Sequence, residues 1–236
     1  MADKKTAKNN APKKKGDKTT RYLVVGMLAF VVIAGVGAAL AKNNSNSHAA
    51  LPSQVTKANG YGITFNPTAK VKVDMFEDFR CPNCRNFEGA NSAYINGLVR
   101  AGKIQAIYHP MHFLASDSVL TAAASACSSD AGKFLDFHTA LYANQPTTAQ
   151  SAENAPYWTN STLVALGVGV GISSPDFAAC VNSGKYLNWA NNINDYAASK
   201  NINSTPTVIV NGKTLPLATD YDNKAFTKLL VSLGVK

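Results

Sequence analysis

The stretch that decides the fold is Phe76-Glu-Asp-Phe-Arg-Cys-Pro-Asn-Cys84. It continues an alternating run, residues 71–76, that predicts a strand, and a pattern with one apolar face predicts a helix directly after it. Cys81 is therefore expected at a helix N-terminus, where unpaired backbone N–H groups favour an anion and lower a thiol pKa. Pro82 suits the first helical turn, and Cys84 lies one turn further along. This spacing predicts a nucleophilic thiol with a partner that closes a reversible disulfide.

A structural zinc site is the alternative interpretation of this CxxC pair. Zinc usually takes two closely spaced pairs of ligands, but the other cysteines, Cys127 and Cys180, are isolated in the chain. His109 and His112 form a close pair, yet they follow a strand-like run, and residues i and i+3 on a strand point to opposite faces. Their convergence would need a turn at Pro110. Redox chemistry without a metal is therefore favoured.

The net charge of +9 belongs mainly to the N-terminal tail. Residues 1–21 hold eight Lys or Arg and two Asp, whereas residues 42–236 hold 15 basic and 12 acidic residues. Because the positive charges of the domain nearly equal its negative charges, the sequence does not indicate that the domain binds nucleic acid.

Residues 22–41 form an uncharged run of 20 residues beginning at Tyr22. A helix of this length is about 30 Å long, enough to cross a bilayer. The lysines before it predict a cytoplasmic tail and an exported domain. A cleaved signal peptide, with secretion after Ala41, is the alternative, but apolar runs of signal peptides usually span only ~7–15 residues. A retained anchor is therefore favoured, and the polar residues 42–60 are predicted to be a flexible stalk.

The even number of cysteines is informative because the domain is predicted to be exported. In an oxidising compartment four cysteines suggest two pairs. Since Cys81 and Cys84 form one pair, Cys127 and Cys180 are predicted to form the other, with two buried free thiols as the alternative.

The remaining chain predicts helices from residue 116 to residue 202 and then a hairpin. His138, in the helical part, is interpreted as a packed core residue. Ser204-Thr-Pro-Thr-Val-Ile-Val-Asn-Gly212 predicts a strand that begins after Pro206 and turns at Asn-Gly. Residues 222–233 predict a closing amphipathic helix.

This order resembles the thioredoxin fold, and in particular the membrane-tethered bacterial members of the DsbA-like thiol–disulfide oxidoreductases. The two quoted motifs carry the resemblance, which covers residues 61–236. Cys84 and Pro206 are 122 residues apart, whereas a bare thioredoxin needs roughly 40 there. The fold class expected is α/β, a thioredoxin fold with a large all-helical insertion, about residues 115–202, between the third strand and the cis-Pro strand.

The resemblance implies roles for five residues. Cys81 would be the exposed attacking thiol and Cys84 the resolving thiol. Pro206 would be a cis-proline facing the CxxC motif, and Thr205 would offer backbone groups to a substrate peptide. Pro82, within the CxxC motif, would tune its reactivity. The redox-active disulfide would serve without any cofactor.

Two positions depart from the family pattern. Asn83 stands where many DsbA proteins carry a histidine that helps to hold the thiolate, and it cannot become cationic. Arg80 and Arg85, which flank the motif, are candidates to compensate for the missing charge, with ordinary solvated side chains as the alternative. Met75 stands where many relatives carry a buried acid that accepts the proton of the resolving thiol. Glu77 shares its strand face and is the predicted substitute, whereas Asp74 should face elsewhere.

The resulting functional prediction is an extracytoplasmic enzyme that donates its disulfide to newly exported proteins with cysteine pairs. A membrane quinone-linked thiol oxidase, VKOR-like or DsbB-like, would reoxidise it. A reductase or isomerase on the same scaffold is one alternative, and a non-catalytic module with a structural or metal-bound CxxC is another.

Overall fold

The computed structural model describes residues 49–146, 156–216 and 223–235 of the 236-residue chain. The predicted basic tail (residues 1–21), the predicted transmembrane segment (residues 22–41) and the start of the predicted stalk lie outside the described residues. Among the helices that are described, none is long and apolar enough to cross a bilayer.

A five-stranded sheet lies at the centre of the fold. Its strands are β1 (Ile63–Phe65), β2 (Lys72–Asp78), β3 (Gln105–Met111), β4 (Thr207–Val210) and β5 (Lys213–Thr214). The spatial order is β1-β3-β2-β4-β5. β2 and β3 are parallel, and the other neighbours are antiparallel. β2, the strand that leads to the CxxC motif, is central and almost fully buried.

Seven α-helices are described in the same ranges. They are α1 (Pro82–Arg100), α2 (Ser118–Asp130), α3 (Phe134–Ala143), α4 (Asn160–Gly169), α5 (Pro175–Ser183), α6 (Leu187–Ser199) and α7 (Asn223–Ser232). α1 is the crossover between the parallel strands β2 and β3, and α2 to α6 lie between β3 and β4. The predicted thioredoxin fold with a helical insertion is confirmed.

Helices cover both faces of the central strand. Since side chains alternate along a strand, Met75 and Glu77 share one face of β2, and α1 and α3 cover that face. Phe76 lies on the opposite face, where its ring stacks on His109 at 4.0 Å and on Tyr196 of α6 at 6.4 Å. The residues just before the CxxC motif are therefore held from both sides.

The β4–β5 hairpin turns at the predicted Asn-Gly pair. Asn211 and Gly212 both have positive φ, 47° and 82°, as a two-residue hairpin turn of this type requires. The side chain of Asn211 also accepts a hydrogen bond from the backbone N–H of Lys72 at 2.9 Å. This contact ties the hairpin to the start of β2.

A disulfide joins Cys127 of α2 to Cys180 of α5. The two residues are 53 positions apart in the chain, and their Cα atoms are 5.9 Å apart. The bond cross-links two helices of the insertion that already pack against each other.

The prediction of a flexible stalk over residues 42–60 is wrong for the part that the structure describes. Val55 is buried and forms an isolated β-bridge with Ile63. Gly60 has a φ of 63°, and a Cβ built on it would lie 2.1 Å from the ring of Tyr196. The composition is polar because the segment buries only a few side chains, but its backbone packs closely on the domain.

Candidate active site

The CxxC motif lies at the seam between β2 and α1, as its spacing predicts. Cys81 occupies the N-cap position of α1, and Pro82 is the first helical residue. Pro82 and Asn83 are exposed. Cys84 is fully buried, and only 5% of Cys81 is exposed. The expectation of an exposed Cys81 is therefore wrong, because Gln145 and the loop before β4 both contact this residue.

The cis-proline loop lies directly beside Cys81. The Thr205–Pro206 peptide bond is cis, and both residues are half-buried. In its protonated form the Cys81 thiol donates a hydrogen bond to the carbonyl oxygen of Thr205 over 3.3 Å, although 124 positions separate the two residues. The structure thus brings together the two sequence motifs on which the fold prediction depends.

The two thiols differ strongly in acidity. A hydrogen bond between the Cys81 sulfur and the Cys84 side chain lowers the pKa of Cys81 most, and burial opposes this effect. Further hydrogen bonds from the Thr205 side chain and from the N–H groups of Cys84 and Asn83 bring the pKa to about 6. Burial raises the pKa of Cys84 well above its usual range, and the hydrogen bond with Cys81 and the charge of Glu77 add to this effect. At neutral pH the site therefore holds a Cys81 thiolate and a protonated Cys84.

Asp78 fixes the loop that leads into the motif. Its Oδ1 accepts hydrogen bonds from the N–H of Arg80 and the hydroxyl of Ser118, both at 2.8 Å. Its Oδ2 accepts hydrogen bonds from the N–H groups of Phe113 and Leu114 at 3.0 and 3.1 Å. This fully buried carboxylate thus joins the CxxC loop to the end of β3 and the start of α2.

Arg80 is buried, so the alternative of a solvated side chain is wrong for this residue, and no arginine is among the causes that lower the pKa of Cys81. Its guanidinium forms an ion pair with Asp117 at 2.5 Å, and the two side chains are only 4% and 1% exposed. Asp117 also accepts a hydrogen bond from the N–H of Trp158 at 2.8 Å. The ion pair between Arg80 and Asp117 therefore attaches the CxxC loop to the helical insertion.

Gln145, just beyond α3, also holds the CxxC loop in place, and the sequence did not predict this role. Its amide donates hydrogen bonds to the carbonyl oxygens of Phe79 and Cys81 at 2.8 and 3.0 Å. Since Gln145 lies 64 positions from Cys81 and belongs to no motif, no local signal marks it.

Glu77 lies beneath the motif in a buried polar cluster. His138 Nε2 is 3.3 Å from Glu77 Oε2, and His138 Nδ1 is 3.6 Å from Glu88 Oε2. Burial raises the pKa of Glu77 to about 8, with a lowering hydrogen bond from Glu88 and a raising effect from the Cys81 charge. Burial raises the pKa of Glu88 and lowers that of His138. At pH 7 Glu77 is therefore protonated and the imidazole of His138 is neutral.

Asp74 faces the other side of the sheet, as strand alternation predicts. Its carboxylate contacts Nε2 of the buried His109 at 3.4 Å and Lys72 Nζ at 3.2 Å. Asp74 therefore cannot exchange protons with either thiol.

His109 and His112 do not complete a zinc site with the CxxC motif. β3 continues through Pro110 to Met111, so the turn that would bring His109 and His112 together does not form. In the ranges that the structure describes, the metal-ligand types that converge are Glu77, Glu88 and His138, whose ligand atoms lie within 4.8 Å of one another. Neither Cys81 nor Cys84 belongs to that group.

Comparison with protein families agrees with the fold and the paired motifs. The family model described as Thioredoxin matches residues 59–230. The chain belongs to the thioredoxin family. This match spans the central sheet, the helical insertion and the cis-proline loop, so the helices α2 to α6 are part of the family domain.

Relatives within the thioredoxin family share this chemistry. The chain is 26% identical over 168 residues to Disulfide bond formation protein D of Bacillus subtilis, which covers 69% of this chain and 73% of that protein. The structure of reduced DsbA from Mycobacterium tuberculosis is similar with a TM-score of 0.60 and 26% identity, covering 79% of this chain and 91% of that one. MdbA, a thiol-disulfide oxidoreductase from Actinomyces oris, shares the fold with a TM-score of 0.66 and 24% identity, covering 77% and 92%. The chain is a DsbA-like thiol–disulfide oxidoreductase.

Proposed function

We propose that the protein is an oxidase of exported proteins that donates a Cys81–Cys84 disulfide to their cysteine pairs. The observation that carries this proposal is the unequal acidity of the two thiols, with the pKa of Cys81 lowered to about 6 and that of Cys84 raised. An acidic thiol stabilises the reduced enzyme and is a good leaving group, so the enzyme disulfide is readily given away.

The reaction begins when a substrate thiolate attacks the sulfur of Cys81 in the oxidised enzyme. A substrate–Cys81 disulfide forms, the Cys81–Cys84 bond breaks, and Cys84 leaves as a thiolate that takes up a proton. A second substrate thiolate then attacks the substrate sulfur and releases the Cys81 thiolate. The substrate loses two electrons and gains a disulfide, and the enzyme gains two electrons as a dithiol. No cofactor beyond the disulfide takes part.

Glu77 is the proton donor and acceptor for Cys84 in this proposal. Its carboxyl group is buried and protonated at neutral pH, and its charge affects the pKa of Cys84. It gives its proton to Cys84 when the disulfide opens and takes it back when the disulfide closes. Pro82 and Asn83 tune the thiolate, since Pro82 begins the helix and the N–H of Asn83 is a hydrogen-bond donor to the Cys81 sulfur.

Thr205 and Pro206 form the proposed substrate-binding edge. Both are half-buried beside the Cys81 sulfur, and the Thr205 carbonyl oxygen lies 3.3 Å from it. A substrate segment that pairs with this backbone would bring its own cysteine in line with Cys81. Backbone pairing explains how one enzyme can accept many unfolded sequences, because it does not depend on their side chains.

Reoxidation is assigned to a membrane quinone-linked partner, VKOR-like or DsbB-like. Residues 22–41 would anchor the enzyme near this partner, with the tail in the cytoplasm and the catalytic domain outside. The name of the Bacillus subtilis relative, Disulfide bond formation protein D, supports a reaction in the direction of disulfide formation.

Two assays, run side by side, test the proposal. One follows the refolding of a reduced, unfolded protein that has two disulfides in its native state, and the other follows the reduction of insulin. The oxidised enzyme should restore substrate activity stoichiometrically. In the insulin assay, the Cys81 thiolate of Cys84→Ser attacks an insulin disulfide and releases an insulin thiol, so a mixed disulfide on Cys81 should accumulate. Insulin reduction that outpaces oxidation would instead favour a reductase. Mixed disulfides on Cys84 in Cys81→Ser, formed as fast as those on Cys81, would contradict the assigned roles.

A further inference from the structure

A wide cleft lies on the face of the central sheet that carries Asp74 and Phe76, opposite the face that α1 and α3 cover. Its floor is formed by three neighbouring strands, since Asp74 of β2 pairs with Ile209 of β4, and Ile209 pairs with Thr214 of β5. One wall is formed by the end of α6 and residues 201–204. The cleft has a volume of about 630 Å³, which lies within the range of roughly 300–1,000 Å³ that is typical of ligand-binding sites.

The cleft extends to the cis-proline loop. Ser204 and Thr207, the residues on either side of the Thr205–Pro206 pair, both line it. The hydroxyl of Thr207 donates a hydrogen bond to the carbonyl oxygen of Ser204 at 2.7 Å, which holds the loop beside the cleft. The Thr205 carbonyl oxygen lies 3.3 Å from the Cys81 sulfur. A polypeptide that pairs with the backbone of Thr205 therefore has the cleft directly beside it.

The charged side chains of the cleft leave an excess of positive charge. They are Lys72, Asp74 and Lys200. The Asp74 carboxylate lies 3.2 Å from Lys72 Nζ and 3.4 Å from Nε2 of His109. Burial lowers the pKa of His109, so this imidazole is neutral at pH 7 and adds no charge. The charges of Asp74 and Lys72 thus cancel each other, and Lys200 carries the excess.

The ammonium group of Lys200 is available to a ligand. Lys200 is exposed, its Nζ lies 5.6 Å from the centre of the Tyr196 ring, and it forms no ion pair with another described residue. The side-chain amide of Asn203 and the hydroxyls of Ser204 and Thr214 add hydrogen-bond donors around the same cleft. A carboxylate can accept hydrogen bonds from all of these groups, and the bond from the ammonium group is the strongest because both partners are charged. The cleft therefore suits acidic side chains.

We propose that this cleft binds the stretch of substrate polypeptide next to the reacting cysteine, and that Lys200 makes it favour stretches with aspartate or glutamate. This inference rests on the proposed function, in which the substrate pairs with the backbone of Thr205. Backbone pairing accepts any sequence, whereas the cleft contacts side chains and gives the enzyme a preference among cysteines. Because the cleft lies on one face of the sheet, acidic residues on only one side of the substrate cysteines reach it.

Oxidation of matched peptides by the oxidised full chain tests this proposal. All peptides contain the same pair of cysteines, and a glycine spacer joins the pair, on its N-terminal or its C-terminal side, to a run of aspartates, asparagines or lysines. Acid quenching and mass spectrometry give the rate constants. In one of the two placements the wild type should oxidise the aspartate peptide about fourfold faster than the asparagine peptide, as expected for one charge pair about 5 Å apart in water-like surroundings. The difference should disappear in about 1 M salt, where the Debye length is about 3 Å.

Variants of the cleft should change this ratio of rates. Lys200→Gln should make the aspartate and asparagine peptides nearly equal, and Lys200→Glu should make the lysine peptide the fastest. Thr214→Glu, which adds a negative charge to the floor of the cleft and leaves Lys200 in place, should also abolish the preference for aspartate. Lys185→Gln is the matched control, because Lys185 lies 4.7 Å from the centre of the Tyr186 ring but belongs to the helical insertion. It should keep the wild-type ratio.

The possible results separate the cleft from the proposed function. A wild type without the preference, an equal preference in both placements, or a wild-type ratio in both Lys200→Gln and Thr214→Glu would overturn the role of the cleft. A loss of the preference in Lys185→Gln would overturn it as well, since the attraction would then come from the charge of the whole domain. Failure of the wild type to oxidise even the asparagine peptides would contradict the proposed oxidase function, and the role of the cleft would fall with it.

Discussion

Replacing Arg80 by methionine is expected to cost about 3 kcal/mol of the free energy of unfolding. The substitution keeps most of the side-chain volume but leaves the Asp117 carboxylate buried without its cation, and removal of one partner from a buried pair typically costs about 3–5 kcal/mol. The lower end applies because Asp117 keeps the hydrogen bond from the N–H of Trp158. Urea denaturation of the oxidised protein measures the loss.

Arg100→Met is the matched control for this experiment. Arg100 forms an ion pair with Asp136 at 2.6 Å, but the two side chains are 56% and 38% exposed, so its loss should cost less than about 1 kcal/mol. Adding Asp117→Asn to Arg80→Met should recover part of the stability, because no buried charge then remains unpaired. Equal losses in the Arg80 and Arg100 variants would refute the reasoning. The pKa of Cys81 should stay near 6 in both variants, since its causes are neighbours of the sulfur and not the guanidinium group.

Three further experiments test other parts of the structure. Glu77→Gln should remove a loss of stability that the reduced wild type shows as the pH rises. The folded protein holds the Glu77 proton up to a pKa of about 8, whereas the unfolded chain releases it near the ordinary pKa of 4.5, so the stabilisation is full below pH 4.5 and lost by about pH 8. Identical pH dependence of urea denaturation in the two proteins would contradict this. Replacing Cys127 and Cys180 together by alanine should cost roughly 4 kcal/mol through the chain entropy of the 53-residue separation, and a loss below about 1 kcal/mol would argue that the unfolded state is already compact. Gly60→Ala should destabilise by more than about 1 kcal/mol because of its positive φ and the ring beneath it, whereas Gly97→Ala in α1, where a Cβ meets no atom within 4 Å, should be neutral or stabilising by up to about 1 kcal/mol; a harmless Gly60→Ala in thermal unfolding would mean that this segment does not pack.

The features that the sequence predicted correctly have short-range causes. A strand that alternates and then meets a proline-containing CxxC predicts a strand–helix seam, because Pro82 and the apolar face of α1 act within a few residues. Asn211 and Gly212 predict their hairpin turn for the same reason. Strand alternation also placed Glu77 and Asp74 on opposite faces.

The features that the sequence did not predict depend on contacts between distant residues. Arg80 meets Asp117 over 37 positions, and His138 meets Glu77 over 61 positions. Each pair becomes visible only when the insertion has folded onto the sheet, since charge and spacing along the chain do not say which surfaces will meet. Gln145 is the clearest case, because its burial beneath the CxxC loop follows from where α3 ends in space.

The redox potential of the Cys81–Cys84 pair, measured against glutathione buffers, tests the central claim most directly. The lowered pKa of Cys81 and the raised pKa of Cys84 predict an oxidising couple, with a potential between about −200 mV and the DsbA value of about −120 mV. This range lies above the thioredoxin value of about −270 mV. A potential at or below about −270 mV would contradict the account, because a couple that reducing would withdraw disulfides from exported proteins instead of donating them.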